Sequence, residues 1–380
     1  MTPKVTVLLA VKDGEPYVRG AVESVLAQTF ADFELLVVDD GSTDRTGEIV
    51  ESFGDARVRL LRNDRNLGQV PSLNRGLHEA RGEYVARLDA DDKCRPTRLE
   101  RQAAVLDAEP SVGLVGAWME AVGERGEHLG WLRKSLVDYV DFVYHTLIMR
   151  VYVSHPAAMY RREPVLALGG YDEATGPSED KDLWRKLALE RWEARIVEEV
   201  LVSYRLHENQ LSQVRAADQR DVDGRSQDRF LAELAPHAPV RAVRLVLAGD
   251  DAFWDERHDA RETLRDLDAV LAGARTRLRL DDDEARRLGQ LVAARLAAVA
   301  RTRPWSTAAR AIAAAAVRRL PPERRRAAVA AHAAALALAP ARGAIRGTLR
   351  RGARAAPRLR APAKRSRLAR RLYGKLVGSE

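Results

Sequence analysis

Three carboxylates close the segment Tyr84-Val-Ala-Arg-Leu-Asp-Ala-Asp-Asp92, namely Asp89, Asp91 and Asp92. Val85 and Leu88 favour a buried extended backbone, and ionised side chains do not stay unpaired in such a core, so the acids must emerge at the strand's carboxyl edge. In an open parallel sheet that edge is the ligand crevice. Carboxylates two residues apart on a turn can offer oxygens to one hard divalent cation, and a cation so placed can hold a diphosphate. The same residues would also serve as a solvated acidic turn ahead of a helix starting near Pro96, and the segment alone leaves both readings open. A second pair, Asp39 and Asp40, follows the apolar run Phe33-Glu-Leu-Leu-Val-Val38. A third acidic group, Ser178-Glu-Asp-Lys-Asp182, precedes Leu183, Trp184, Leu187 and Ala188, where a serine cap and first-turn acids suit a helix N-terminus in their own right. Val200-Leu-Val-Ser-Tyr-Arg-Leu-His207 reads as a strand that ends in a histidine.

These groups need a scaffold that brings strand ends together. Val5 to Val11 is a continuous apolar run of strand length, and Lys12-Asp-Gly-Glu15 turns it into a helix beginning near Pro16, with Val18, Ala21, Val22, Val25 and Leu26 at helical spacing. The cycle repeats through Phe33 to Val38, a helix over Ile49 to Phe53, a short strand from Val58 to Leu61, the loop Asn66-Leu-Gly68, a helix from Pro71 to Ala80, and the Tyr84 strand. This alternation predicts a right-handed, mostly parallel α/β sheet with its acidic strand ends on one side. Beyond it the sequence predicts a helix over Arg95 to Glu109, a strand from Val112 to Trp118, a hairpin tip at Gly123 to Gly126, a helix over Ser135 to Arg150, an extended Val153 to Tyr160, and a turn at Gly169-Gly-Tyr-Asp172.

At 380 residues, 46% hydrophobic and 31% charged, the chain has room for two or three folded, soluble domains. Cys94 is its single cysteine, so no internal disulfide forms, and no Cys/His cluster has zinc spacing; a reducing setting fits, with Cys94 a partly buried structural thiol. The N-terminus enters a strand pattern at once, which argues against a signal peptide, and no long uncharged apolar run predicts a membrane span. Charge is uneven. Residues 341–380 hold 13 Lys/Arg against one acid, a net +12 that leaves residues 1–340 at −4. Between the two, Phe230 to Leu234, Val243 to Leu247, Leu264 to Leu271 and Leu288 to Val299 read as helices punctuated by prolines. Two roles stay open for the basic tail: a solvated, partly disordered segment, or a contact with anionic lipid headgroups. Nucleic acid ranks last because no RNA- or DNA-binding motif accompanies the charge.

The ordered motifs resemble the family 2 glycosyltransferases, inverting enzymes of the GT-A fold that use nucleotide-diphosphate sugars. The matching text is Val5 to Glu15, Ser24-Val-Leu-Ala-Gln-Thr-Phe30, Phe33 to Asp44, Asn66-Leu-Gly68, Leu88-Asp-Ala-Asp-Asp92, His155-Pro, Gly169-Gly-Tyr-Asp172, Glu179-Asp-Lys-Asp-Leu-Trp184 and Tyr204-Arg-Leu-His207. The resemblance implies a GT-A catalytic domain over 1–215, Rossmann-like with a mostly parallel sheet flanked by helices, then an α-helical accessory region over 216–340 and the tail at 341–380. It implies that Asp40 reads the nucleotide base, that Ala10, Lys12, Asp13 and Glu15 line the same pocket with Asn66 nearby, and that Asp89 addresses the ribose and, with Asp91, a Mn2+ or Mg2+ ion. By the same resemblance His207 completes the metal shell and Asp180 is the general base. Lys12 and Asp13 stand where many relatives carry an aromatic residue and an asparagine, so base stacking is not implied there, and Lys12 is placed to pair with phosphate or with Asp40. The expected partners are a nucleotide sugar and a glycan or lipid-linked acceptor of cell-surface polysaccharide or glycoconjugate assembly, in the cytoplasm or at the inner face of the membrane. A sugar-phosphate nucleotidyltransferase would be expected to carry a Gly-rich basic loop after the first strand, and the single glycine of Ala10 to Glu15 argues against it. A degenerate sugar-nucleotide binder would have no need of Asp40, Asp89, Asp91 and Asp180 together.

Overall fold

The computed structural model of the chain describes residues 2–333 apart from 151–152, 208–209, 211–215, 257, 303–305, 323 and 332. It divides into two compact units. The first runs to Phe142 and resumes after residue 152 up to Asp223; the second takes Val143–Arg150 and the described residues from Gly224 onward.

The first unit is built on one sheet of nine strands among the described residues: β1 (Val5–Val11), β2 (Phe33–Asp39), β3 (Val58–Arg62), β4 (Tyr84–Arg87), β5 (Lys93–Cys94), β6 (Val112–Val122), β7 (His128–Leu132), β8 (Met159–Arg161) and β9 (Glu193–Arg205). Their order is β3-β2-β1-β4-β8-β6-β9-β5, with β7 also on β6. The expected parallel block is β3-β2-β1-β4. Past β4 the sheet is mixed. Strand β8 lies antiparallel to both β4 and β6, β9 runs parallel to β6, and β5 and β7 run antiparallel to their neighbours. Strands β1 to β4, β6 and β9 therefore share one direction, and their carboxyl ends open on one edge. That single fact puts the residues after β9 beside the residues after β4.

The core follows the period-2 alternation of the central strands. Val5, Val7, Leu9, Leu35 and Val37 join one buried cluster with Val18, Val22 and Val25 of α1 (Val18–Leu26) and with Leu99, Ala103 and Leu106 of α4 (Arg98–Ala108). Leu8 and Val38 face the other way, onto Gly76 of α3 (Gln69–Glu79). The chain enters β4 through Gly82, where an added Cβ would lie 2.4 Å from the Thr6 backbone nitrogen, 2.7 Å from the Val5 carbonyl carbon and 2.8 Å from the Tyr84 oxygen. Backbone cannot yield as a side chain does, so Gly82→Ala should cost about 3 kcal/mol. A lower urea midpoint at unchanged slope checks this, and a parent-like midpoint would contradict it.

Several boundaries differ from the sequence expectation for local reasons. Helix α4 begins at Arg98 rather than Arg95, because Lys93 and Cys94 pair with β9 and the Arg95 N–H donates to the Leu201 carbonyl. Helix α2 (Thr46–Glu51) and α5 (Tyr139–Leu147) are also displaced or shorter than expected. The Val153 to Tyr160 stretch holds a 3-10 turn at His155–Ala157 before β8, which leads into α6 (Arg162–Ala167). Helix α7 (Glu179–Leu189) follows the Gly169–Gly170 turn.

In the second unit α8 (Ala216–Leu234), which begins in the first, is followed by α9 (Val240–Ala248), α10 (Ala252–Asp255), α11 (Ala260–Arg277), α12 (Asp282–Ala300) and α13 (Thr307–Arg319). Leu267, Val270, Leu288, Val292 and Leu296, within the expected helices, are buried, and so is Ile312. Asp281 and Glu284 form a capping box that starts α12. No helix among the described residues is long and apolar enough to cross a membrane. The tail over 341–380 lies outside the described residues.

Candidate active site

The turn after β4 gathers its three acids: one oxygen from each of Asp89, Asp91 and Asp92 lies within 4.8 Å of the others. The Asp92 N–H donates to the Asp89 carbonyl at 3.2 Å and closes the turn. Asp89 is held from beneath by Arg87, whose side chain is fully buried and whose Nη2 donates to Oδ1 at 2.5 Å. Asp91 Oδ2 lies 2.9 Å from His207 Nε2, a partner delivered by the end of β9. Asp92 is buried; its Oδ1 accepts from the Arg205 N–H at 2.8 Å, while its Oδ2 is buried with no hydrogen-bond partner.

Negative charge is crowded in this turn. Burial, reinforced by Asp91 and Asp89, pushes the Asp92 carboxyl well above the ordinary carboxylate range. Burial also raises Asp89, against the pull of Arg87 and with the push of Asp91. A cation among these oxygens would reverse that repulsion and give the orphaned Asp92 oxygen a nearby counter-charge. A cluster of hard oxygens with one imidazole nitrogen suits a divalent ion such as Mn2+ or Mg2+, so the residues present fit the group.

Two loops flank the turn at the same edge. Strand β1 pairs with β2 from Val5↔Phe33 to Val11↔Asp39, which brings the two loops level. Ala10 is half-buried near the end of β1. Lys12 pairs with its neighbour Asp13 rather than with Asp40, and Asp13, at a φ of 50°, accepts from the Thr43 N–H at 2.8 Å. Gly14 N–H donates to Thr46 Oγ1 at 2.8 Å, and Glu15 binds Arg45 through Nε at 2.8 Å. Asp40 is buried and accepts three hydrogen bonds of 2.8 Å, from Asn63 Nδ2 and from the N–H groups of Leu67 and Gly68. Its carboxylate thus fixes the loop that carries Asn66, whose Oδ1 accepts from the Gly68 N–H at 3.0 Å.

Helix α7 supplies the third acidic group. Ser178 does not cap it as the sequence suggested: the side chain makes no cap hydrogen bond, and its Oγ donates to the Gln219 carbonyl at 3.3 Å. Asp180 sits in the first turn with Oδ1 accepting from the Lys181 N–H at 2.8 Å, and burial raises its carboxyl against the opposing pull of Lys181. The buried neighbour Glu179 is pushed up to about 7 by burial and by Asp180, with Arg87 opposing and Asp89 adding. The Arg87 guanidinium that holds Asp89 therefore also acts on Glu179. Beneath it, Glu179 lies 3.5 Å from His155 Nδ1, His155 Nε2 lies 3.0 Å from the Tyr171 hydroxyl, and that hydroxyl lies 3.0 Å from the Tyr160 hydroxyl. Burial, with Arg87 nearby, drives His155 well below its usual range and keeps it neutral.

The structure thus brings Asp89, Asp91 and His207 together, puts Asp180 in the first turn of α7, and gives Lys12, Asp13, Glu15, Asp40 and Asn66 to the flanking loops. Sequence reasoning did not single out Tyr17, Arg87, Asn63 or Arg205. Arg87 was detectable, being a charge inside an apolar strand; the others depend on long-range pairing.

Among known proteins, the sequence profile of glycosyl transferase family 2 matches residues 6–168. An uncharacterized glycosyltransferase of Methanocaldococcus jannaschii is 30% identical over 219 residues, which is 56% of this chain and 75% of that protein. The O-antigen biosynthesis glycosyltransferase WbnJ of Escherichia coli is 28% identical over 213 residues, 53% of this chain and 80% of that one. In fold, the crystal structure of S. aureus TarS in complex with UDP-GlcNAc superposes with a TM-score of 0.52 at 21% identity, over 81% of this chain and 88% of that chain. The sheet with its flanking helices is of the GT-A class, and the chain belongs to glycosyl transferase family 2.

Proposed function

We propose that this glycosyltransferase transfers a sugar, with inversion, from a nucleotide-diphosphate donor to a glycan or lipid-linked acceptor, assisted by a divalent cation held by Asp89, Asp91 and His207. The observation that carries the reading is the 2.9 Å approach of His207 to Asp91 in a turn where a buried Asp92 oxygen has no partner. When bound, the cation would offset the negative charge that develops on the departing diphosphate. The chain's own residues do the rest. The two laced loops carrying Lys12 to Glu15 and Asp40 to Asn66 form the donor's base and ribose side. Asp180 takes the proton from an acceptor hydroxyl, too weak a nucleophile at neutral pH without a base. Attack from the face opposite the diphosphate in a single displacement inverts the anomeric centre.

A sugar-nucleotide donor is in keeping with the UDP-GlcNAc complex named for TarS, and the O-antigen role named for WbnJ supports a part in surface-polysaccharide assembly. Pairing of Lys12 with Asp13 weighs against a nucleotidyltransferase, which needs free basic groups on a Gly-rich loop at this point. The test is release of nucleoside diphosphate from a panel of sugar nucleotides, with Mn2+ and with EDTA. Turnover of one donor that EDTA abolishes supports the reading, and no turnover of any donor overturns it.

The basic tail has a role in this reading as a peripheral tether to a lipid-linked acceptor. Its net +12 would be drawn to anionic headgroups at about 1 kcal/mol per basic residue near the surface. Deleting residues 341–380 should weaken sedimentation with anionic liposomes, and salt should weaken it in the full chain, with hydrolysis of a soluble donor unchanged. Equal liposome binding by both proteins would contradict it.

A further inference from the structure

We propose that Arg205 is a positioning residue that fixes the acidic turn against the β6–β7 hairpin and so sets its affinity for a divalent cation. The inference rests on the metal reading above. Arg205 ends β9 opposite Val122, and the strand holds its backbone on both sides: the Leu206 N–H donates to the Val122 carbonyl at 2.8 Å, and Gln210 Nε2 donates to the Arg205 carbonyl at 2.7 Å. From that anchored position the residue reaches two acids at once. Its N–H donates to Asp92 Oδ1 at 2.8 Å and its Nε to the Asp91 carbonyl at 2.9 Å. Nη1 donates to the carbonyls of Gly123, at 3.1 Å, and Glu124, at 2.9 Å, in the hairpin tip.

The Tyr17 ring completes the brace, with the Arg205 guanidinium 5.2 Å and the His207 ring 5.3 Å from its centroid. Tyr17 immediately precedes α1, so the brace also ties the turn to the loop carrying Lys12 to Glu15. Asp91 is consequently held at both ends, by Arg205 on its carbonyl and by His207 on its carboxylate. A planar guanidinium makes these bonds in two directions from one rigid group, which a lysine ammonium cannot. Groups that orient ligands from behind typically change metal affinity by about 10–100-fold when removed.

The experiment measures Mn2+ binding to the full chain by electron paramagnetic resonance, alone and with UDP, GDP or dTDP, beside the thermal midpoint. R205Q and R205K should each bind Mn2+ at least about tenfold more weakly while still unfolding cooperatively. Tyr17→Leu, which removes the ring and no hydrogen bond to the turn, should weaken binding by a smaller factor. Parent-like Mn2+ affinity in a folded R205Q, or in Tyr17→Leu where the arginine variants do not fold, overturns the proposal. Failure of the parent itself to bind Mn2+ overturns the metal reading and this inference with it.

Discussion

Asp91→Asn should lower metal-dependent turnover on the order of 10²–10³-fold or more, the scale of losing one group that stabilises developing charge. The substitution removes a ligand charge at a half-buried strand end, not core packing, and leaves a side chain of the same shape to meet His207. The thermal midpoint should therefore stay close to the parent's. Added Mn2+ should recover part of the rate if the lost group is a ligand, since weakened binding is restored by mass action. Near-normal turnover at saturating donor and metal would remove Asp91 from the site.

Asp180→Asn should behave differently, because a base acts on the acceptor and not on the donor. Transfer should fall by about 10²–10⁴-fold with donor affinity unchanged in calorimetry. The pH profile gives a second readout. Burial raises the Asp180 carboxyl, and the active form is the ionised one, so the acid limb of the parent's rate profile should lie above the ordinary carboxylate range and fall as pH drops through it. Glu179, pushed up to about 7 on the adjacent residue, will share that limb. Loss of donor affinity in the variant would assign Asp180 to the donor side.

How much of this was legible depended on whether the signal was local. The buried parallel strands declared themselves because Val5 to Val11 and Phe33 to Val38 are near-continuous apolar runs, interrupted by Thr6 and Glu34 alone, as strands covered on both faces tend to be. Asp89, Asp91 and Asp92 stood out for the complementary reason, as charges where the apolar run stops. The first half of β9 was hidden: Glu193-Ala-Arg-Ile-Val-Glu-Glu carries four charges, and irregularities in its pairing with β6 interrupt the alternation that would have marked a strand. Strand β5 has two residues and depends wholly on β9 for its pairing. The first-turn acids of α7 were visible, but the use of Ser178 was not, because its partner Gln219 lies 41 residues away. Asp40 was visible as an acid at a strand end, while its bonds to Asn63, Leu67 and Gly68 follow from a loop path that composition does not encode. His207 belongs to both groups: its motif pointed to it, and only the direction shared by β4 and β9 explains how it reaches Asp91.

Cation binding at the acidic turn is tested by an anomalous difference map, recorded near the manganese edge, from crystals grown with Mn2+ and a nucleoside diphosphate. One peak is expected within coordinating distance of the Asp91 carboxylate and His207 Nε2, with the diphosphate beside it and the base toward the loops of Asp13 and Asp40. A manganese peak elsewhere, or a bound nucleotide away from the carboxyl ends of β1, β2 and β4, would contradict it.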